Sequence, residues 1–321
     1  MEKQSPRQRF LADFGLMATA LVWGSNFVVV KETLPQVPPM LFLGFRFGIA
    51  FLFLAPFLAS PGRRPARRLD WVKATVTGLF LFAGFAAQIL GQQFTTPGMS
   101  GFLTGIYVVL VPLFGIILTR RFTGWPALAA AGLVAVGLGF LFLHGQTAFG
   151  RGEILTLACA VFFALHFLAL GRWSPDMDPF FLTAVQLLVT AAAGFAAAGF
   201  SPAPALTFSR SAWAAILYTA LLGSLGAYLM QTWAQRHTPA HHAAIILSLE
   251  SVFAVLCSLV WGTESLTLAK VAGFAFIMAG ILVAESGWRS IRDIASMRNL
   301  FRFSRRPGLE NASGFRTGKQ P

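Results

Sequence analysis

Ten apolar runs follow one another along the chain, separated by short polar breaks, and each is long enough as a helix rising 1.5 Å per residue to cross a hydrocarbon core of about 30 Å. The first five occupy residues 14–30, 40–58, 74–90, 99–118 and 125–143, and the second five 154–170, 180–200, 212–233, 243–261 and 267–284. This pattern predicts an all-α integral membrane protein with ten transmembrane helices. A polar segment, 1–13, stands before the first run, and a basic tail, 285–321, follows the last.

Composition strengthens that reading: 56% of the residues are hydrophobic and only 12% charged, where a water-soluble domain carries about 25% charge. The net charge of +13 would point to nucleic acid in a soluble chain. Here the basic residues sit between apolar runs, so they speak of lipid and topology, and no nucleic-acid partner is expected. Counting Lys and Arg on alternate sides puts 20 of the 25 with the two termini and 4 on the far side, with Arg46 inside a span. By the positive-inside rule both termini are then cytoplasmic in a plasma or inner membrane, and the basic loops and tail meet anionic lipid. Trp288, Ile291 and Ala295 fall on one face of a short surface helix in that tail, and disorder is expected beyond Arg305. Cys159 and Cys257 lie in separate apolar runs and suggest packing rather than a disulfide. No convincing cleavage site follows the first run, so it reads as a span and not a removed signal.

The chain also repeats itself. At an offset of 140, Asn26-Phe27 meets His166-Phe167, Pro35 meets Pro175, and Arg46 meets Gln186. At 142, Gly84 meets Gly226, Gln93 meets Gln235, and Thr96-Pro97 meets Thr238-Pro239. The two copies are 14–143 and 154–284. Because each holds five spans, an odd number, the second enters the membrane upside down relative to the first, and such inverted repeats place a binding site near the midplane between the halves.

The motifs that fill these repeats resemble those of the drug/metabolite transporter superfamily, in its ten-helix EamA-type branch. They are Trp23-Gly24-Ser25-Asn26-Phe27, Arg46, the stretch from Pro97-Gly98 to Pro112, Thr238-Pro239, Leu249-Glu250 with Val252-Phe253-Ala254, and Glu264. The family pattern has Pro after the glutamate of the ninth helix, where this chain has Ser251, and Gly-Glu after the fourth, where it has Arg120-Arg121. The resemblance implies a secondary transporter of small organic metabolites such as amino acids, often moved outwards. No cofactor and no metal are expected, and a second copy of the chain is a candidate partner.

Polar residues inside spans are the candidate cavity lining: Trp23, Asn26, Arg46, Gln88, Tyr107, His166, Gln186, Tyr228 and Glu250. Depth along each helix suggests an outer layer of Asn26, Arg46 and Gln88 and an inner one of His166, Gln186 and Glu250, with Phe253 beside Glu250. Arg46 either fixes helices through carbonyls or Asn26, or anchors a substrate carboxylate. Glu250 would cost about 2.5–3.5 kcal/mol if charged and unpaired at mid-span. It is therefore neutral, paired or facing water, and is the candidate for proton coupling. His237, His241 and His242 read as a cytoplasmic loop near headgroups rather than a metal site. Gly132, Gly139, Gly273 and Gly280 read as contacts between the fifth and tenth helices. The alternatives are a membrane-embedded enzyme on a lipid-like substrate, for which no catalytic cluster is present in the sequence, and a passive channel.

Overall fold

The computed structural model describes residues 6–58, 67–95, 97–120, 122, 124–142, 150–199, 208–260 and 266–283, so the basic tail lies outside the described residues. Every regular element among them is helical. In chain order they are α1 (Pro6–Thr33), α2 (Pro39–Leu58), α3 (Arg68–Gly91), α4 (Pro97–Gly105 and Tyr107–Thr119), α5 (Trp125–Phe142), α6 (Arg151–Trp173), α7 (Pro179–Ala198), α8 (Arg210–Ala220 and Ala227–Ala234, joined by Leu221–Gly226), α9 (Ala240–Leu247 and Leu249–Val260) and α10 (Leu268–Val283). Seven of the ten contain a stretch long and apolar enough to cross a bilayer; Leu103–Thr119 of α4, Trp125–Phe140 of α5 and α10 are shorter apolar helices. Large side chains such as Phe53, Ile117, Leu118 and Leu282 are exposed, as a surface facing lipid requires.

Two halves, α1–α5 and α6–α10, exchange their contacts pairwise. Helix α3 packs on α6 as α8 packs on α1, α4 packs on α6 as α9 packs on α1, and α3 packs on α7 as α8 packs on α2. The pairs α2–α7 and α5–α10 map onto themselves. Small residues set the closest approaches, because without a hydrophobic drive in lipid helices associate through van der Waals contact of their backbones. A Cβ on Gly194 would lie 2.9 Å from the Gly44 nitrogen, and one on Gly24 would lie 2.7 Å from the Glu250 carbonyl. Helices α5 and α10 meet at Gly137, whose Cβ would lie 2.7 Å from the Gly273 carbonyl, and at Gly280 against Val134. Gly132, in contrast, faces open space, which corrects its assignment to that contact.

The fourth helix of each half is broken, and at matching places. In α4 the backbone turns at Ile106, with Val109 N bonding Ile106 O; in α9 it turns at Ser248, with Ser251 N bonding Ser248 O. The two residues are 142 positions apart, the offset of the sequence repeat. Ser248 also donates its hydroxyl to Ile245 O at 2.6 Å, an intrahelical bond that bends helices. His241 and His242 stand in the first turn of α9 rather than in a loop, and His242 Nε2 lies 3.3 Å from Asp13 Oδ1 of α1.

Candidate functional site

Tyr107, just after the first break, donates its hydroxyl to Glu250 Oε1, just after the second, at 3.3 Å, and both side chains line a hollow between the halves. The empty volume is about 650 Å³, including the part open to solvent. Its walls come from matching turns of matching helices. From α1 come Trp23, Asn26, Phe27 and Val30, the one-face spacing of a helix, and from α6 come Phe163, His166 and Phe167, at the positions of Trp23, Asn26 and Phe27 in the other copy. Helix α3 adds Phe85, Gln88 and Ile89, and its C-cap adds Gln92; α8 adds Tyr228 and Gln231; Arg46, Thr104, Tyr107 and Glu250 complete the lining.

Arg46 is 3% exposed and held from α8. Residues Leu221–Gly226 form a π-helical turn, whose wider register leaves carbonyls free for side chains. Arg46 Nε donates to Ser224 Oγ at 2.7 Å and Nη2 to Gly223 O at 3.2 Å, and the same carbonyl accepts Trp23 Nε1 at 2.9 Å. The guanidinium also lies over the rings of Phe47 at 5.3 Å and Phe85 at 4.9 Å. A Cβ at Gly223 would sit 2.3 Å from Asn26 Nδ2 and 3.2 Å from Arg46 Nη2, so a side chain there would displace the Asn26 carboxamide and press on the guanidinium. Among the described residues no carboxylate stands at ion-pair distance from Arg46.

On the other wall Gln186 Nε2 donates to Leu182 O at 3.1 Å, which turns its Oε1 towards His166 Nε2, 2.7 Å away. That oxygen can only accept, so the imidazole carries a proton on Nε2. Gln186 itself is wholly buried behind the ring and is not on the cavity wall, unlike the other eight sequence candidates, because its backbone packs on Gly78 of α3 and its side chain is tied to His166. Phe253 likewise packs on Gly24 and not on the hollow. Gln88 Nε2 donates to Thr104 Oγ1 at 3.2 Å. The separate polar layers suggested by helix depth merge: Asn26, Arg46 and Gln88 share one space with His166 and Glu250.

The sequence reading passed over Thr104, Gln92, Gln231, Gly223 and Ser224. A signal existed for two of them. Counting by i, i+3, i+4, i+7 from Phe85 reaches Gln88, Ile89 and Gln92, and Gln231 is one turn beyond Tyr228. Nothing in the sequence announced the π-turn.

The fold has a close counterpart among solved proteins: one crystal structure superposes with a TM-score of 0.73 over 85% of this chain and 98% of that one, at 19% identity. Among relatives by sequence, an uncharacterized transporter of Archaeoglobus fulgidus is 32% identical over 283 residues, 87% of each chain. A probable amino-acid metabolite efflux pump of Salmonella typhimurium is 27% identical, covering 89% of this chain and 97% of its own. The uncharacterized inner membrane transporter YedA of Escherichia coli is 26% identical over 87% of this chain and 92% of its own. The model of the EamA-like transporter family matches twice, at residues 10–143 and 150–285, once on each structural half. The chain is thus a multi-pass membrane transporter and not an enzyme, and it belongs to the EamA-like transporter family.

Proposed function

We propose that the protein is a secondary transporter that exchanges its hollow between the two sides of the membrane and carries small zwitterions of the amino-acid type, in the outward direction. The observation that carries this reading is the charge pattern of the hollow. A buried guanidinium has no carboxylate partner among the described residues, and a buried carboxyl has only the Tyr107 hydroxyl. Buried charge is retained where it is paired or used. An α-carboxylate on Arg46 and an α-ammonium on Glu250 would satisfy both, and the aromatic rings of Trp23, Phe85, Phe163 and Phe167 would cover the rest of the molecule. A multiply phosphorylated substrate would want more than one Arg. The efflux-pump relative supports the class and the direction.

With the basic termini in the cytoplasm, α1 ends on the outer side at Thr33, and the hollow, which reaches Val30 and Gln92, opens outwards. Glu250 is the group that would carry a coupled proton, with Tyr107, Tyr228, His166 and Arg46 around the same space.

Reconstitution tests the proposal. Purified protein in liposomes preloaded with unlabelled amino acid should accelerate uptake of labelled amino acid. Arg46→Gln should abolish that counterflow, whereas Glu250→Gln, whose amide oxygen still accepts from the ammonium, should retain it at a raised KM and lose the response to a pH gradient. Uptake without acceleration by preloading would indicate a pore and defeat the carrier reading; an unchanged pH response in Glu250→Gln would remove the coupling role.

A further inference from the structure

Resting on the zwitterion reading above, the geometry points to a third recognition element: we infer that the carboxamides of Gln231 and Asn26 bind an uncharged side-chain group of the substrate that both donates and accepts hydrogen bonds, as a carboxamide does. Both side chains line the hollow, Asn26 is 6% and Gln231 0% exposed, and all four of their polar atoms lack a partner. Three other interior amides each make at least one bond, and of their atoms Gln235 Oε1 is buried without a partner. Gln186 bonds Leu182 and His166, Gln88 bonds Thr104, and Gln235 Nε2 donates to Phe167 O at 3.0 Å.

Nor does packing require these two amides. The position matching Gln231 in the first half is Ile89, an apolar residue on the same hollow, and the position matching Asn26 is His166, which has its own partner. The two come from opposite halves, α8 and α1. A buried donor and acceptor left unpaired are costly, so a ligand that pairs them is favoured, and one of equal size that leaves them empty is rejected. Arg46 and Glu250 take the charged groups that all amino acids share; the amides read what differs between them.

Glutamine and methionine make the comparison, since their side chains match in length and differ in the terminal amide. Counterflow rates in liposomes should show kcat/KM for glutamine above methionine by about tenfold or more, the discrimination expected where a polar site is left unpaired. Gln231→Met and Asn26→Leu, each close to isosteric, should bring the ratio below about threefold as that pairing is lost, on protein whose thermal melting matches the wild type. Equal rates in the wild type, preference for methionine, or an unchanged ratio in both variants would overturn the inference with the transporter reading intact. Wild-type protein that exchanges neither amino acid would overturn the zwitterion reading and this inference with it.

Discussion

The two ends of the hollow are built from matching residues and differ in state. At one end Val30 and Gln92, 7% and 6% exposed, line the hollow; their counterparts, Leu170 at an offset of 140 and Ala234 at 142, are wholly buried away from it at the other. Gln93 just past α3 is exposed, while its counterpart Gln235 just past α8 is buried and donates its amide to Phe167 O. The closed end also holds His242 against Asp13, and it packs α8 on α1 where Met230 fills the space beside Gly15. Two copies of one sequence plan thus stand in two conformations within a single chain. An inverted repeat lets them exchange roles: in the opposite state Gln93 would reach Phe27 O, the counterpart of Phe167, as Gln235 came free. On the proposed carrier reading the difference between the ends is a conformational state, held by a few polar ties that can be cut one at a time.

The strongest intervention acts where both ends depend on the same centre. Gly223→Val places a branched side chain against Asn26 and Arg46, so transport should fall by about a hundredfold or more from the loss of a positioned charged group, measured as counterflow on protein whose thermal melting confirms it is folded. A smaller effect is expected from the closed end alone. Removing one interhelical hydrogen bond in a membrane costs about 0.6 to 1.7 kcal/mol, so Gln235→Leu should raise the population open at the Leu170 end by about three- to twentyfold. The matching Gln93→Leu should leave that population unchanged, because Gln93 makes no such tie in the described state. Solvent-exchange protection of the Phe167 region reports both.

Much of this arrangement was legible in the sequence because a bilayer permits few solutions. Ten apolar runs, an odd number per repeat, and a collinear 140–142 offset dictate two inverted halves with polar residues between them. Trp23, Asn26, Arg46, Tyr107, Tyr228, His166, Gln88 and Glu250 stood out as polar or amphipathic groups in apolar surroundings, and the hollow gathers all eight. What stayed hidden depends on rotation and backbone register, which composition does not record. Gln186 and Gln231 are both amides inside apolar runs, yet one is turned behind His166 and the other onto the cavity wall. The breaks at Ile106 and Ser248 carry no proline, and the π-turn at Gly223 is one extra residue in an otherwise regular helix. Gly132 shows the converse: a seven-residue spacing that looked like a helix contact and meets nothing.

Single cysteines at Val30 and Leu170, with Cys159 and Cys257 replaced by alanine, place one reporter at each end of the hollow. Labelling with a membrane-impermeant thiol reagent from each side of sealed vesicles, with and without a transported amino acid, reads which end is open. The expected result is labelling of Val30→Cys from one side only, and labelling of Leu170→Cys from the opposite side that appears as substrate turns the carrier over. Labelling of both positions from the same side, or of both at once from opposite sides, would contradict a hollow that two inverted halves expose in turn.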